Sequence, residues 1–269
     1  MVFEAFEPAP ALRCDVECYW RWEQDCADGP FEPIYPDACP ELIVHLGQRP
    51  SRLHPDGMLL PQPEGFLYSA AARPVHLLAT ARLSLFSIRF HPWGVGSFSR
   101  APMAQRTDRE VEPGDVFGLP GERYVQAIAS AESNRERCRI ADQFLLGALA
   151  GRVVRKRERM GALARWIGSG ALTAAPADSS DRTLRRLWHE RVGIEPRKYR
   201  RLLRFRHALR ALGGPGSLAV IAVEAGYADQ AHMTREFGRL AGATPACVRR
   251  GGCNPVFERF VLERGAAVV

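Results

Sequence analysis

The chain has 269 residues, 46% of them hydrophobic and 25% charged, the make-up of an ordinary globular protein and not of a disordered or fibrous one. No apolar run approaches the roughly 18 residues that span a bilayer, and the acidic start MVFEAFEPAP lacks the pattern of a signal peptide, so a cytoplasmic protein with no membrane partner is expected. Charge divides the chain: residues 1–150 carry 14 Arg and 20 Asp plus Glu, a net of −6, whereas residues 151–250 carry 21 Lys plus Arg and 8 acids, a net of +13.

An acidic half joined to a strongly basic half is the asymmetry expected when only one domain meets a polyanion. The first 118 residues read as mostly β. Short apolar or alternating runs, Cys18–Trp22, Glu41–Leu46, Gly65–Ser69, Val75–Ala79 and Leu83–Phe90, are broken by Pro, Gly and Asp. They predict a small sandwich or cupin-like barrel. Prolines at 30, 33, 36, 40, 50, 55, 61 and 63 exclude long uninterrupted elements in that stretch. From Gly121 the spacing turns helical, over Glu122–Ala131 and Arg135–Ala150, with Ser133 or Asn134 as a cap for the second helix. Residues 119–155 are therefore expected to be connecting helices that could serve dimerisation, with a hinge somewhere in 150–160.

The C-terminal part, 156–255, repeats itself at a spacing of 49 residues: LRRLWHERVGIEPRKYRR from Leu184 answers MTREFGRLAGATPACVRR from Met233. Arg186 matches Arg235, Trp188 matches Phe237, Gly193 matches Gly242, Pro196 matches Pro245, and Tyr199 matches Val248. Ser180 and Asp229 stand as N-caps before amphipathic helices over 181–191 and 230–240. Each of these helices ends at a glycine able to take positive φ, and each following helix opens on proline, whose missing N–H costs nothing there. Pro196–Leu212 reads as one continuous rod, stopped by Gly213-Gly214-Pro215-Gly216. Before the second repeat stands a short helix, Leu218–Glu224, with the small Ala222 and a turn at Gly226. Short helix, glycine turn and capped helix make a helix-turn-helix, whose second helix enters the DNA major groove.

The segment VIAVEAGYADQAHMTREFGRLAGATP resembles the signature region of the AraC/XylS transcription regulators, through its I-A, G-Y, D-Q, R-x-F and G-x-x-P positions. YPDACPELIVHLG and IRFHPWG resemble, more faintly, a sensor domain found in one branch of that family. The resemblance implies an α+β protein: a β-rich regulatory domain, connecting helices, and an all-α domain of two helix-turn-helix motifs joined by a linker helix. It implies double-stranded DNA as partner, and a small-molecule effector, a second copy of the chain or RNA polymerase as further ones. By position, Arg182, Arg185 and Arg186 of the first motif and Gln230, Ala231, His232 and Arg235 of the second would face the groove. Their chemistry agrees, since Arg pairs bidentately with guanine, Gln with adenine, and Ala touches the thymine methyl. The first motif departs from the pattern, with Leu172, Thr173, Pro176 and Ala177 where the second has Ile221, Ala222, Ala225 and Gly226.

A competing class is an enzyme carrying a DNA-binding tail, either a cupin-like metal catalyst or a thiol-dependent alkyl acceptor. His45, His54, His76 and His91 lack the H-x-H spacing of a shared metal, and Cys14, Cys18, Cys26 and Cys39 are irregularly spaced. No catalytic residue, metal or cofactor is therefore expected. Tyr19, Trp20, Trp22, Tyr68 and Trp93 are candidates for core or for an apolar ligand pocket.

Overall fold

The computed structural model describes residues 2–25, 32–54, 56–69, 74–78, 82–99, 102–149, 160–164 and 181–251. The N-terminal half is a two-sheet antiparallel sandwich. Its strands are β1 (Val2–Phe6), β2 (Val16–Gln24), β3 (Glu32–Ile34), β4 (Glu41–His45), β5 (Ser51–Leu53), β6 (Leu59–Pro61), β7 (Gly65–Tyr68), β8 (Val75–Leu78), β9 (Leu83–Phe90) and β10 (Glu110–Val111). One sheet runs β1-β2-β9-β4-β7-β10 and the other β3-β8-β5-β6.

The five strands expected from sequence are all present, and five more accompany them. Those the sequence reading missed are short or peripheral. β1 and β10 close the edges of the larger sheet, while β3 and β6, which contain Pro33 and Pro61, close those of the smaller. Proline is tolerated there because an edge strand has a side with no partner to receive its N–H.

The pleat sorts the larger sheet into two faces. Leu42 and Val44 of β4, Leu67 of β7 and Phe86, Ile88 and Phe90 of β9 point to one side, where they pack with Tyr124, Ile128, Ala141 and Leu145. Those residues belong to the helices Leu119–Ser130 and Asn134–Leu149. Both helices thus lie against the sheet. Asp142 fixes the second by accepting from the Tyr19 hydroxyl at 2.8 Å and the Ala9 amide at 2.9 Å. Ser133 caps it, its Oγ accepting from the Glu136 amide at 3.2 Å. The other face carries Trp20, Trp22, Glu41, Ile43, His45, Phe66, Tyr68, Leu83, Leu85 and Arg89, and looks toward the smaller sheet.

The C-terminal half is helical: Asp181–Val192, the rod Pro196–Ala211, Leu218–Glu224, Gln230–Leu240 and Pro245–Gly251. The repeat is visible in its packing. Trp188 and Phe237 are both fully buried, and their neighbours Tyr199 and Val248 nearly so. Trp188 lies 5.0 Å from the Tyr199 ring, and Phe237 4.8 Å from Phe205 in the rod. Gly193 and Gly242 have φ of +82° and +68°, the left-handed conformation that a side chain resists. A helical turn at 160–164 adds Met160, Leu163 and Ala164 to this core. Ser180 and the expected first helix of the first motif, with Leu172, Thr173, Pro176 and Ala177, lie outside the described residues, as does most of the expected hinge.

Candidate nucleic-acid interface

The second motif assembles from local signals. Ser217 caps Leu218–Glu224, its Oγ accepting from the Val220 amide at 3.3 Å. Gly226, at φ +82°, reverses the chain, and the Tyr227 amide donates back to the Ala222 carbonyl at 2.9 Å. Ala222 is fully buried, so a larger side chain there would hold the two helices apart. Asp229 then caps Gln230–Leu240, accepting from the His232 amide at 2.6 Å.

Helical periodicity turns Met233, Phe237 and Leu240 inward and leaves Gln230, Ala231 and Arg235 exposed near the helix N-terminus. His232 behaves differently from its expected groove-facing neighbours. Its ring is half-buried, packs edge-on against Tyr227 at 5.3 Å, and accepts through Nδ1 from the Ala228 amide at 3.4 Å. In the first motif Arg186 is exposed, 3.9 Å from Glu190 one turn on. Arg182 and Arg185 fall on the Asp181–Val192 helix, but their side chains lie outside the described ones.

A brace absent from the sequence expectations holds the second recognition helix from behind. Glu236 is 3% exposed and binds Arg201 of the rod at 2.9 Å, with Arg204 and Arg239 at 3.8 and 3.9 Å. Arg204 also lies over the Tyr227 ring, 5.4 Å from its centroid. The signal is a lone acid in a basic helix, three residues after Met233 and four before Leu240 and hence beside the inward side. The repeat alignment pairs Arg201 with Arg250, but Arg201 meets Glu236 whereas Arg250 bonds Cys247.

A helix-turn-helix family model matches residues 173–251, and a model for a domain of unknown function, DUF6597, matches residues 4–112. The C-terminal region is an AraC-type helix-turn-helix domain. Such a domain makes the chain a DNA-binding transcription regulator. No curated protein matches the sequence. Among solved structures, an apo variant of ToxT from Vibrio cholerae is 11% identical over 86% of this chain and 97% of its own, with a TM-score of 0.42. ToxT of the same organism with an unsaturated fatty acid bound is 11% identical over 87% and 96%, at 0.40. A 2-hydroxyethylphosphonate dioxygenase covers 68% of this chain and 42% of its own at 15% identity and 0.22.

The AraC-type domain meets the sandwich along the rod and the first recognition helix. Arg206 of the rod, 9% exposed, donates to the Asp37 carbonyl at 3.5 Å and reaches the Cys39 sulfur at 3.9 Å. Tyr35 stands edge-on to Phe205 at 6.0 Å. Thr107 donates to the Gly193 carbonyl at 3.2 Å, Arg191 donates to the Gly96 carbonyl, and Lys198 faces Asp108 at 3.9 Å.

Behind Asp37 lies an ion cluster. Arg89, 3% exposed, donates through Nε to Glu17 at 3.0 Å, through Nη1 to Glu41 at 2.5 Å and through Nη2 to Asp37. Burial would raise the Asp37 carboxyl, but Arg89 and Arg206 outweigh it and hold it below the usual range. Burial pushes Glu41 the other way, up to about 7, against the pull of Arg89.

This cluster forms one wall of a cavity of about 120 Å³ between the two sheets, whose other walls include Trp20, Trp22, Phe66, Tyr68, Val75 and Leu77. Of the aromatics weighed from sequence, Trp20, Trp22 and Tyr68 line the cavity, while Tyr19 and Trp93 are core. Among the described residues no group of three His, Cys, Asp or Glu could hold a metal ion. Burial pushes the Cys39 thiol up, away from the thiolate that nucleophilic chemistry needs. No helix among the described residues is long and apolar enough to cross a membrane.

Proposed function

We propose that this regulator binds a specific DNA sequence through both recognition helices and that its sandwich controls the engagement. Arg182, Arg185 and Arg186 are assigned to one major-groove face and Gln230, Ala231 and Arg235 to the next, with His232 holding the turn beneath the second. The observation that carries the reading is an exposed set of base-reading side chains at the start of a helix capped by Asp229 and braced by Glu236. Residues 1–118 act as the sensor, 119–155 as the connecting helices and 156–255 as the reader. The controlling event is a small molecule in the sandwich or pairing with a second copy. Arginine contacts to phosphates supply much of the affinity, which falls steeply with salt.

Selection of random duplex DNA on the purified protein at two salt concentrations tests this. Enrichment of an asymmetric site of about two helical turns is expected. Salt-sensitive binding without enrichment of any sequence would overturn it.

A further inference from the structure

The cavity between the sheets has a chemical bias of its own. Its apolar walls are aromatic on the side of the larger sheet, where Trp20, Trp22, Phe66 and Tyr68 stand, and aliphatic on the side of the smaller. The pleat of β4 delivers Glu41, Ile43 and His45 to it in succession, and β9 delivers Arg89 opposite Glu41.

Its charged lining groups are Asp37, Glu41 and Arg89. All three nitrogens of Arg89 already donate to carboxylates, so an incoming carboxylate would have to displace one of them. Among the described residues the cluster sets Glu17, Asp37 and Glu41 against Arg89 and Arg206, three acids to two bases. Arg52, which covers the Tyr68 ring at 5.2 Å, is itself matched by Glu110 at 3.2 Å. Two further groups, His45 and Trp22, are buried with their polar ring atoms short of a full hydrogen bond among the described residues. His45 is 4% exposed and neither ring nitrogen makes a hydrogen bond of full geometry among the described residues. The Trp22 indole N–H, on a residue 6% exposed, has no hydrogen-bond partner among them either.

We propose that this cavity takes a small aromatic cation, its ring against Trp20, Trp22 and Phe66 and its ammonium group beside Asp37, Glu41 and the acceptor nitrogen of His45. Aromatic pairs gain from offset or edge-on contact beyond the area they bury, and the acids supply the opposite charge for the ammonium. The volume limits the size: about 120 Å³ is somewhat less than the roughly 150 Å³ cavity that holds benzene, so the occupant has no more than one ring, and the lining side chains must give way to admit a short amine-bearing chain. Burial, with Asp37 and Glu17 nearby, lifts Glu41 to about 7 against the pull of Arg89, so a cation beside it would favour its charged form. The same wall touches the AraC-type domain, since Asp37 and Cys39 contact Arg206 of the rod. A cation that draws Asp37 inward therefore acts on the seam between the domains.

This assignment rests on the sandwich being a sensor, and the two readings fail separately. Calorimetric titration of the full chain with 2-phenylethylamine, 3-phenylpropanoate and the neutral 2-phenylethanol tests the chemistry. The amine should bind at least tenfold more tightly than the carboxylate, with the alcohol between them. Leu77→Trp, which fills the cavity from the smaller sheet, should abolish that binding while the circular dichroism spectrum is unchanged. Equal or tighter binding of the carboxylate, or no binding of the amine at millimolar concentration, would overturn the assignment. DNA affinity is measured with and without the amine. Amine binding that leaves DNA affinity unchanged would keep the ligand class and overturn the sensor reading, whereas retained DNA binding without amine binding would overturn the ligand class and leave the DNA-binding reading standing.

Discussion

The brace at Glu236 lends itself to a quantitative test through Glu236→Gln, which keeps the shape and removes the charge. The carboxylate is 5% exposed by side chain, while Arg201 and Arg204 are 37% and 33% exposed. A hydrogen bond to a charged group contributes about 1.5–3 kcal/mol and a neutral one about 0.5–1.5. The substitution therefore costs roughly 1–2 kcal/mol, with the partial hydration of the two arginines favouring the lower end. Urea unfolding reads the stability, and DNA titration at fixed salt reads the function. Affinity for the selected site should fall several-fold, because the recognition helix is less firmly held. Affinity for random DNA should stay level or rise, because a negative charge near a polyanion is gone. A stability change below about 0.5 kcal/mol would mean that the bridge behaves as a surface ion pair, and the reasoning fails. Equal losses on both DNAs would refute the positioning role.

Arg235→Ala should cost about 1–3 kcal/mol in binding and relax discrimination at one base pair; unchanged affinity and preference in a binding-site comparison would remove Arg235 from the reading set. Gly193→Ala should destabilise more than Gly242→Ala in urea unfolding. Both sit at positive φ, at about 1–2 kcal/mol of strain, but only at Gly193 would the new Cβ meet backbone, 2.8 Å from Met103. Burial pushes His45 down to about 4, with Gln62 partly opposing, so the folded ring stays neutral where the unfolded one gains a proton. That contribution is full above pH 6.5 and is lost as the pH falls toward 4, by roughly 3 kcal/mol. Glu41 works in the opposite sense over nearly the same range, so the measurement is the difference between His45→Gln and the parent chain at pH 7.5 and 4.5. The variant should lose less stability in acid, and an equal loss in both proteins would refute the buried neutral ring.

Much of the C-terminal half could be read in advance because its signals are local. The cap at Asp229, the turn at Gly226, the proline openings and the inward Trp188 and Phe237 are settled within a few residues of chain, where helix periodicity and backbone conformation act. The 49-residue repeat then supplied a second copy of each signal. The sandwich was legible only in its long central strands, whose apolar alternation is strong. Its edge strands, three residues around Pro33 or Pro61, carry too little pattern and take their conformation from the strand beside them.

Which charges meet was settled by packing over long sequence distances. Arg206 stands in an amphipathic rod like its neighbouring arginines, yet it alone among them is buried against Asp37, 169 residues away. Glu236 and Arg201 face each other for the same reason, as do Arg89 and its three acids. Withdrawal from water strengthens the attraction in such contacts and also carries a desolvation cost, and how far each partner is withdrawn depends on how whole elements pack, which nearby sequence does not encode. Charge, periodicity and the 49-residue repeat alone mark out a basic, duplicated helical half joined to an acidic β-rich half. The packing of the two sheets and the rod determined the seam between them and the acid-walled cavity behind it.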